Sequence, residues 1–389
     1  MQFAHRLEPL QSNVFADMDR AKGLARAAGQ QIIDLSMGSS DLPVSSHIIN
    51  AIAQSLSDPT THGYLLFNGT QAFRQAVANW YEQRFGIPVD PETEVLPLIG
   101  SQEGTAHLPL AILNPGDYAL LLDPGYPSHA GGVYLASGLI YPMPLRAENK
   151  FLPDLTEIPG QVLNKARMMV LSYPHNPTTA IAPLEFFQTA VEFCLQHNIV
   201  LVHDFPYVDL VFTGVAPSIF QADRDKQTSI EFFTLSKSYN MGGFRIGYAI
   251  GNAKLITALK QVKATVDFNQ YLGILNGAIA ALTGPQTGVS QSTAIFRQRR
   301  DAFLNALHHH GWNLPSPPAT MYVWFPLPSK WCDRSIEFCT NLVIKTGIAA
   351  SPGAGFGKHG EGYVRFALVQ PPSVLEQAAH QISEFLKTQ

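Results

Sequence analysis

Between about Ser46 and Gly284, short apolar runs alternate with segments whose apolar positions recur every three or four residues. The clearest runs cover residues 118–123 (YALLLD), 168–172 (MMVLS), 199–203 (IVLVH), 232–235 and 246–250. Runs this short and this uniformly apolar predict strands covered on both faces. Residues 184–197 (LEFFQTAVEFCLQH) carry the period of a helix, with Pro183 predicted at its first position. Strand, helix, strand is the rhythm of a mostly parallel sheet covered by helices. After Pro285 the pattern changes to a long amphipathic helix over 291–310, strands over 321–325 and 363–368, and a closing helix with Ser373 and Glu376 as a capping box. The expectation is an α/β protein with a large domain over 46–285 and a smaller α+β domain over 286–389. Residues 1–45 hold too little apolar sequence to fold alone and are predicted to pack on the smaller domain or on a partner subunit.

Composition narrows the function classes. At 389 residues the chain exceeds one ordinary core, in keeping with two domains. Its 46% hydrophobic and 14% charged residues describe a well-buried globular protein, and a net charge of −4 gives no reason to expect nucleic acid or an anionic membrane as partner. Small molecules are the expected ligands. Cys194, Cys332 and Cys339 are too few and scattered for a disulfide framework or a zinc site, which points to a reducing compartment, the cytoplasm. The N-terminus (MQFAHRLEPLQ) lacks an apolar targeting core, and no run of about 18 apolar residues predicts a membrane span.

The candidate chemistry lies in residues 233–247, FTLSKSYNMGGFRIG, where a strand runs into Lys237. A lysine at a strand end can condense with an aldehyde and then act as a base. Thr234 and Arg245 are placed to cradle a phosphate. Taken alone, an exposed loop lysine reads equally well. Upstream, residues 172–178 (SYPHNPT) and 202–207 (VHDFPY) follow predicted parallel strands, where open α/β sheets bind ligands. An aspartate there, Asp204, can keep a pyridine nitrogen protonated, and Asn176 and Tyr207 can donate to a phenolate oxygen on the same ring. Each alone has a bland reading, a turn for Asn176 and Pro177 and a strand-end cap for Asp204; together, in this order, they match what pyridoxal chemistry requires.

With these residues the chain resembles the fold-type I pyridoxal-phosphate enzymes of the class I and II aminotransferase family over nearly its whole length. Within that family it is similar to the branch of alanine (glutamate–pyruvate) and LL-diaminopimelate aminotransferases. The segments DLSMGSSDLP, GYLLFNGT, LIGSQEGTAHL, VHDFPYVDLVF, FFTLSKSYNMGGFRIGY, MYVWF, SPGAGFG and YVRFAL carry that similarity. The resemblance implies a homodimer with shared active sites, pyridoxal 5′-phosphate as cofactor, and Lys237 as Schiff-base lysine and proton shuttle. It implies Asp204 on the ring nitrogen, Asn176 and Tyr207 on the ring oxygen, and Tyr126 against the ring face. Ser101, Gln102, Thr234 and Arg245 match the phosphate cup, with Ser101 and Gln102 at a helix start. Arg365 matches the clamp for the substrate α-carboxylate, assisted by the backbone around Gly38, and Tyr64 matches a tyrosine that reaches the neighbouring subunit's phosphate.

The implied reaction is ping-pong transfer of an amino group from an L-amino acid to a 2-oxo acid. Alanine or another small or neutral donor paired with 2-oxoglutarate is the first expectation; LL-diaminopimelate is the alternative, ahead of aspartate or a carbon–sulfur β-lyase reaction. Two departures bear on this. Thr179 stands where the family often has glycine, and Gln102 where relatives in this branch commonly carry lysine. The absence of arginine from residues 265–271 (TVDFNQY) weakens an aspartate reading. His308, His309 and His310 diverge around a helix with no carboxylate or Cys at ligand spacing, so they are read as a solvated helix end. Gly353, Gly355 and Gly357 lack dinucleotide-loop spacing and context and are read as a turn. Arg297, Arg299 and Arg300 are read as a solvated face or an interdomain ion pair. A cofactor-sensing transcription regulator would need a DNA-binding domain ahead of the fold, and only about 45 residues with no basic patch precede it.

Overall fold

Residues 1–45 are poor in apolar side chains, and those that are buried, Met18, Ala21, Ala25 and Leu35 among the described residues, join a core cluster made mostly by the C-terminal third. The structure, a computed structural model, describes residues 1, 3–10 and 14–388; Gln2, Gln11, Ser12, Asn13 and Gln389 lie outside them. Helix Val14–Ala27 buries Met18, Ala21 and Ala25 in a cluster with Phe296, Phe303, Phe338 and Ile382. The short strand β1 (Ile33–Asp34) pairs in parallel with the C-terminal region, Ile33 opposite Ile348.

The predicted apolar runs become the centre of a seven-stranded sheet. In chain order its strands are β2 (Val95–Leu98), β3 (Tyr118–Asp123), β4 (Leu139–Pro144), β5 (Ala166–Leu171), β6 (Val200–Asp204), β7 (Ser229–Thr234) and β8 (Gly247–Gly251). Their spatial order is β2-β8-β7-β6-β5-β3-β4, parallel from β7 to β4, with β8 antiparallel to both its neighbours. Leu120, Met169 and Leu201 face one buried cluster and Leu121, Val170 and Val202 the other, so both faces are covered, as strands without polar alternation require. Helix Leu184–His197 fills the crossover between β5 and β6; Pro183 caps it from outside rather than occupying its first turn.

Two strands escape the hydropathy pattern, and both are edges of the sheet. β2 contains Pro97, and β4 contains Pro142 and Pro144. Proline removes a backbone donor, which only an edge strand tolerates, and the same residue breaks the sequence signal for a strand.

The long helix runs from Thr287 to His309, four residues earlier than its amphipathic pattern begins. After it come β9 (Tyr322–Pro326), β10 (Ile348–Ala349), which is the partner of β1, β11 (Ser351–Pro352) and β12 (Tyr363–Ala367), with β11-β12-β9 forming an antiparallel sheet. The closing helix spans Pro372–Thr388, so Ser373 lies inside its first turn and does not cap it. The three basic residues of the long helix are structural. Arg299 is buried and binds both Asp41 oxygens at 2.6 and 2.7 Å, Arg300 reaches the Pro317 carbonyl, and Arg297 the Phe212 carbonyl. The histidine reading needs correction at one position. His310 Nε2 lies 3.2 Å from His380 Nδ1, and Glu384 completes a group of potential ligand atoms all within 4.8 Å of one another. Sequence spacing did not show this group because the closing helix, seventy residues on, supplies two of its members.

Candidate active site

Strands β3, β5, β6 and β7 all end at one edge of the sheet. Gly247 pairs with Thr234 on one side and Leu98 on the other, so β2 also ends there and β8 begins there. Ligands of open α/β sheets bind outside this carboxyl edge. A cavity of about 490 Å³ opens at it, lined by Lys237, Asp204, Tyr207, Ser101, Gln102, Tyr126, Asn176, Thr234, Arg245, Gly38 and Arg365. Every residue singled out from the sequence except Tyr64 is therefore in one place.

The end of β7 presents the lysine. The Thr234 hydroxyl accepts the Ser236 N–H at 3.2 Å and starts the one-turn helix Leu235–Ser238, which lifts Lys237 off the strand into the cavity. Its ammonium donates to the Gly38 carbonyl at 2.5 Å and lies 5.8 Å from the Tyr207 ring centroid. Gly38 is the residue this approach requires, since a Cβ there would fall 1.9 Å from the Tyr322 hydroxyl oxygen.

Asp204 ends β6, is 4% exposed and takes a bond at Oδ2 from His129 Nε2 at 3.1 Å. Its other oxygen, Oδ1, is buried with no partner. A buried carboxylate oxygen left bare is costly, and a protonated ring nitrogen is a partner that would satisfy it. Asn176 follows β5, and its Oδ1 accepts from Arg365 Nη1 at 2.8 Å, which leaves the amide N–H groups to donate into the cavity. The Tyr207 hydroxyl is 2.8 Å from that of Tyr322 on β9. Burial pushes the Tyr207 phenol well above its ordinary value. Burial also pushes Tyr322 upward, but the nearby cations Arg365 and Lys237 outweigh it and hold that phenol below its ordinary value.

The anion cradle is built from close backbone approach. Ser101 and Gln102 open helix Ser101–Ile112, whose first N–H groups have no partner within the helix. A Cβ on Gly100 would lie 2.7 Å from Arg245 Nη2, and one on Gly247 would lie 2.9 Å from the Ser101 nitrogen. Glycine at both positions lets the guanidinium and the helix start converge. Thr234 lines the same space, although its hydroxyl is engaged as the cap of the lysine turn. Tyr126, partly exposed, stands edge-on to His129 at 5.6 Å between centroids, leaving a face to the cavity.

Arg365, on β12, is 6% exposed. Besides Asn176 it donates to the Ser36 carbonyl at 2.7 Å and the Ser351 hydroxyl at 3.2 Å, with its guanidinium 4.3 Å from the Tyr322 ring centroid and 4.7 Å from that of Phe356. The backbone that Arg365 bonds is that of Ser36, two residues before Gly38, whose own carbonyl takes Lys237. Tyr64 lies outside the cavity and is 96% exposed. Sequence reasoning missed His129, Tyr322 and Ser36. His129 lies three residues after Tyr126 and Tyr322 is the second residue of MYVWF, so a signal was present, but nothing local assigned either to Asp204 or Tyr207. Thr179 adopts the left-handed conformation (φ 67°) that glycine takes more readily.

The family described as aminotransferase class I and II matches residues 30–382. The chain is 42% identical over 386 residues to an LL-diaminopimelate aminotransferase of Dehalococcoides mccartyi, across 99% of both chains. It is 43% identical over 383 residues to LL-diaminopimelate aminotransferase 2 of Trichormus variabilis, across 98% of this chain and 97% of that one. Among solved structures, a probable N-succinyldiaminopimelate aminotransferase from Thermus thermophilus is 43% identical with a TM-score of 0.91, across 95% of this chain and 99% of that one. A family match and relatives of this extent are conclusive: the chain belongs to the class I and II aminotransferases and is a transaminase that uses pyridoxal 5′-phosphate.

Proposed function

We propose that this transaminase takes a donor of the diaminopimelate class and passes its amino group to 2-oxoglutarate, in active sites shared between two subunits of a cytoplasmic homodimer. Relatives named for LL-diaminopimelate and N-succinyldiaminopimelate, at 42 to 43% identity, support this donor over alanine or another small neutral amino acid. Tyr64 supports a second subunit through the resemblance: it matches a tyrosine that reaches the neighbouring subunit's phosphate, and here it is exposed and outside the cavity of its own chain.

Bound pyridoxal phosphate supplies an aldehyde for amines and a protonated ring that draws electrons from the substrate carbon. With the cofactor bound, Asp204 Oδ1, oriented through His129, would keep a proton on the ring nitrogen. Asn176 and Tyr207 would donate to the ring oxygen, Tyr126 would offer its face to the ring, and Ser101, Gln102, Thr234 and Arg245 would hold the phosphate. Arg365 pairs with the substrate α-carboxylate and so turns the Cα–H toward Lys237. Lys237 Nζ, held at the end of β7 inside the cavity, would take the substrate Cα proton as base and carry it back as acid. The observation that carries this reading is the bare, buried Asp204 oxygen in one cavity with Lys237 and Arg365.

The test is Lys237→Ala, assayed by glutamate formation from 2-oxoglutarate with LL-diaminopimelate as donor. Turnover falls at least about a thousandfold with unchanged circular dichroism. Near-parental turnover in that variant refutes the assignment.

A further inference from the structure

The cavity has a charged far wall that no step of the transfer uses. Asp19 and Lys22, three residues apart on helix Val14–Ala27, line it together with Ser36 and Met37. The Lys22 ammonium, on a side chain 9% exposed, lies 2.6 Å from Asp19 Oδ1 and 3.1 Å from Asp34 Oδ2. Asp34 is engaged at both oxygens: Oδ2 takes Lys22, and Oδ1 accepts the Ser36 N–H at 2.9 Å and the Ser36 hydroxyl at 2.5 Å. Lys22, with three N–H groups and two carboxylate partners, keeps one donor. Asp19, 71% exposed, keeps Oδ2. Burial opposes the Lys22 charge, yet its bonds to Asp19 and Asp34 raise it above the ordinary lysine value; burial likewise opposes the Asp34 charge, yet Ser36 and Lys22 hold it low. The wall sets two carboxylates, one of them largely exposed, around one buried ammonium.

Ser36 sets its distance from the reacting end. The carbonyl of Ser36 accepts from Arg365 and its N–H binds Asp34 Oδ1, so the α-carboxylate clamp is joined to Asp34, the brace of the charged wall, by a path of at most about 9 Å, and Lys22 Nζ lies 3.1 Å beyond it on Asp34 Oδ2. An extended seven-carbon dicarboxylate spans about 7–8 Å between its end carbons. We propose that Asp19 and Lys22, braced by Asp34, form the subsite for the far end of a donor that is itself a free amino acid there: Asp19 Oδ2 accepts from the distal ammonium and the spare Lys22 N–H donates to the distal carboxylate. This rests on the diaminopimelate reading and sharpens it, because an N-succinylated far end has no ammonium for Asp19. A bridge that only pinned the helix to β1 would need Asp34 alone; Asp19 adds a second carboxylate on the cavity side.

The test compares parent enzyme and Asp19→Asn, both loaded with cofactor, on LL-diaminopimelate and on L-2-aminopimelate, which lacks only the distal amine. The substitution is nearly isosteric at an exposed position, and an unchanged cofactor absorbance spectrum certifies the site. The ratio of kcat/KM for diaminopimelate to that for 2-aminopimelate falls on the order of tenfold, mostly through KM, as expected for one charge-assisted contact at a partly exposed wall. Equal losses on both donors, or none, overturn the subsite while leaving the donor reading in place. A parent enzyme that converts glutamate but not diaminopimelate overturns the donor reading and the subsite with it.

Discussion

Replacing His175 by asparagine removes most of an acid sensitivity built into the site. His175 precedes Asn176, is 0% exposed, shares a hydrogen bond between Nδ1 and the Thr178 hydroxyl at 2.8 Å, and has no partner at Nε2. Burial, with a smaller contribution from the charge of His129, pushes its pKa from 6.5 down to about 3. The sign follows from which state binds the proton. Below pH 6.5 the unfolded chain protonates this histidine and the folded chain does not, so stability present above 6.5 is lost as pH falls toward 3. Between pH 7.5 and pH 5 the loss from this one group is about 2 kcal/mol, from 1.36 kcal/mol per pH unit over the part of the range below 6.5. Asparagine keeps an oxygen near the Nδ1 position for Thr178 and cannot take the proton. Urea unfolding at pH 7.5 and pH 5, at fixed protein and cofactor concentration, measures the effect. The acid-induced loss is smaller in the variant by about 2 kcal/mol. Absolute stability is not the readout, since the smaller side chain leaves a void at any pH. Equal acid-induced losses in the two proteins refute the reasoning.

The remaining predictions concern the supports of the site. Lys263, 0% exposed, bridges Glu103 at 2.8 and 3.0 Å beneath the helix that opens with Ser101; Lys263→Met strands the buried Glu103 charge and lowers unfolding free energy by about 3–5 kcal/mol, checked by denaturant titration. Gly38→Ala forces a methyl against the Tyr322 hydroxyl and displaces the carbonyl that holds Lys237, so kcat/KM falls by about a hundredfold in steady-state assays, and parental kinetics would refute that role. His129→Phe frees Asp204 from its orienting bond; kcat drops on the order of tenfold, and an unchanged kcat would show that Asp204 needs no such brace.

The parts of the site that were legible in the sequence are local. Thr234 and Lys237, or Asp204 and Tyr207, lie within a few residues of one another at the end of one strand, and a strand's end fixes where they point. The pairings between these groups were not legible. Lys237 meets Gly38 across 199 residues, Arg365 meets Asn176 across 189, Tyr207 meets Tyr322 across 115, and Asp204 meets His129 across 75. Hydropathy located the central strands because burial on two faces leaves an apolar run, and it lost β2 and β4 because an edge tolerates the prolines that erase such a run.

The segment from Ser36 to Asp41 shows why this limit is physical. It holds few apolar side chains, so periodicity marks it as a loop with no assigned place. Polar bonds place it instead: the Ser36 carbonyl on Arg365, the Gly38 carbonyl on Lys237, the Ser40 hydroxyl on Asn240 at 2.7 Å, and Asp41 on Arg299. Two of those partners follow β7 and two lie beyond Pro285, so one short strap ties the lysine loop to Arg365 and the long helix. Half of its bonds use backbone carbonyls, which every residue possesses and no residue type advertises. Its position is therefore set by the partners that the chain around it supplies, and the tight approach of Tyr322 shows in the sequence only as the lack of a Cβ at Gly38.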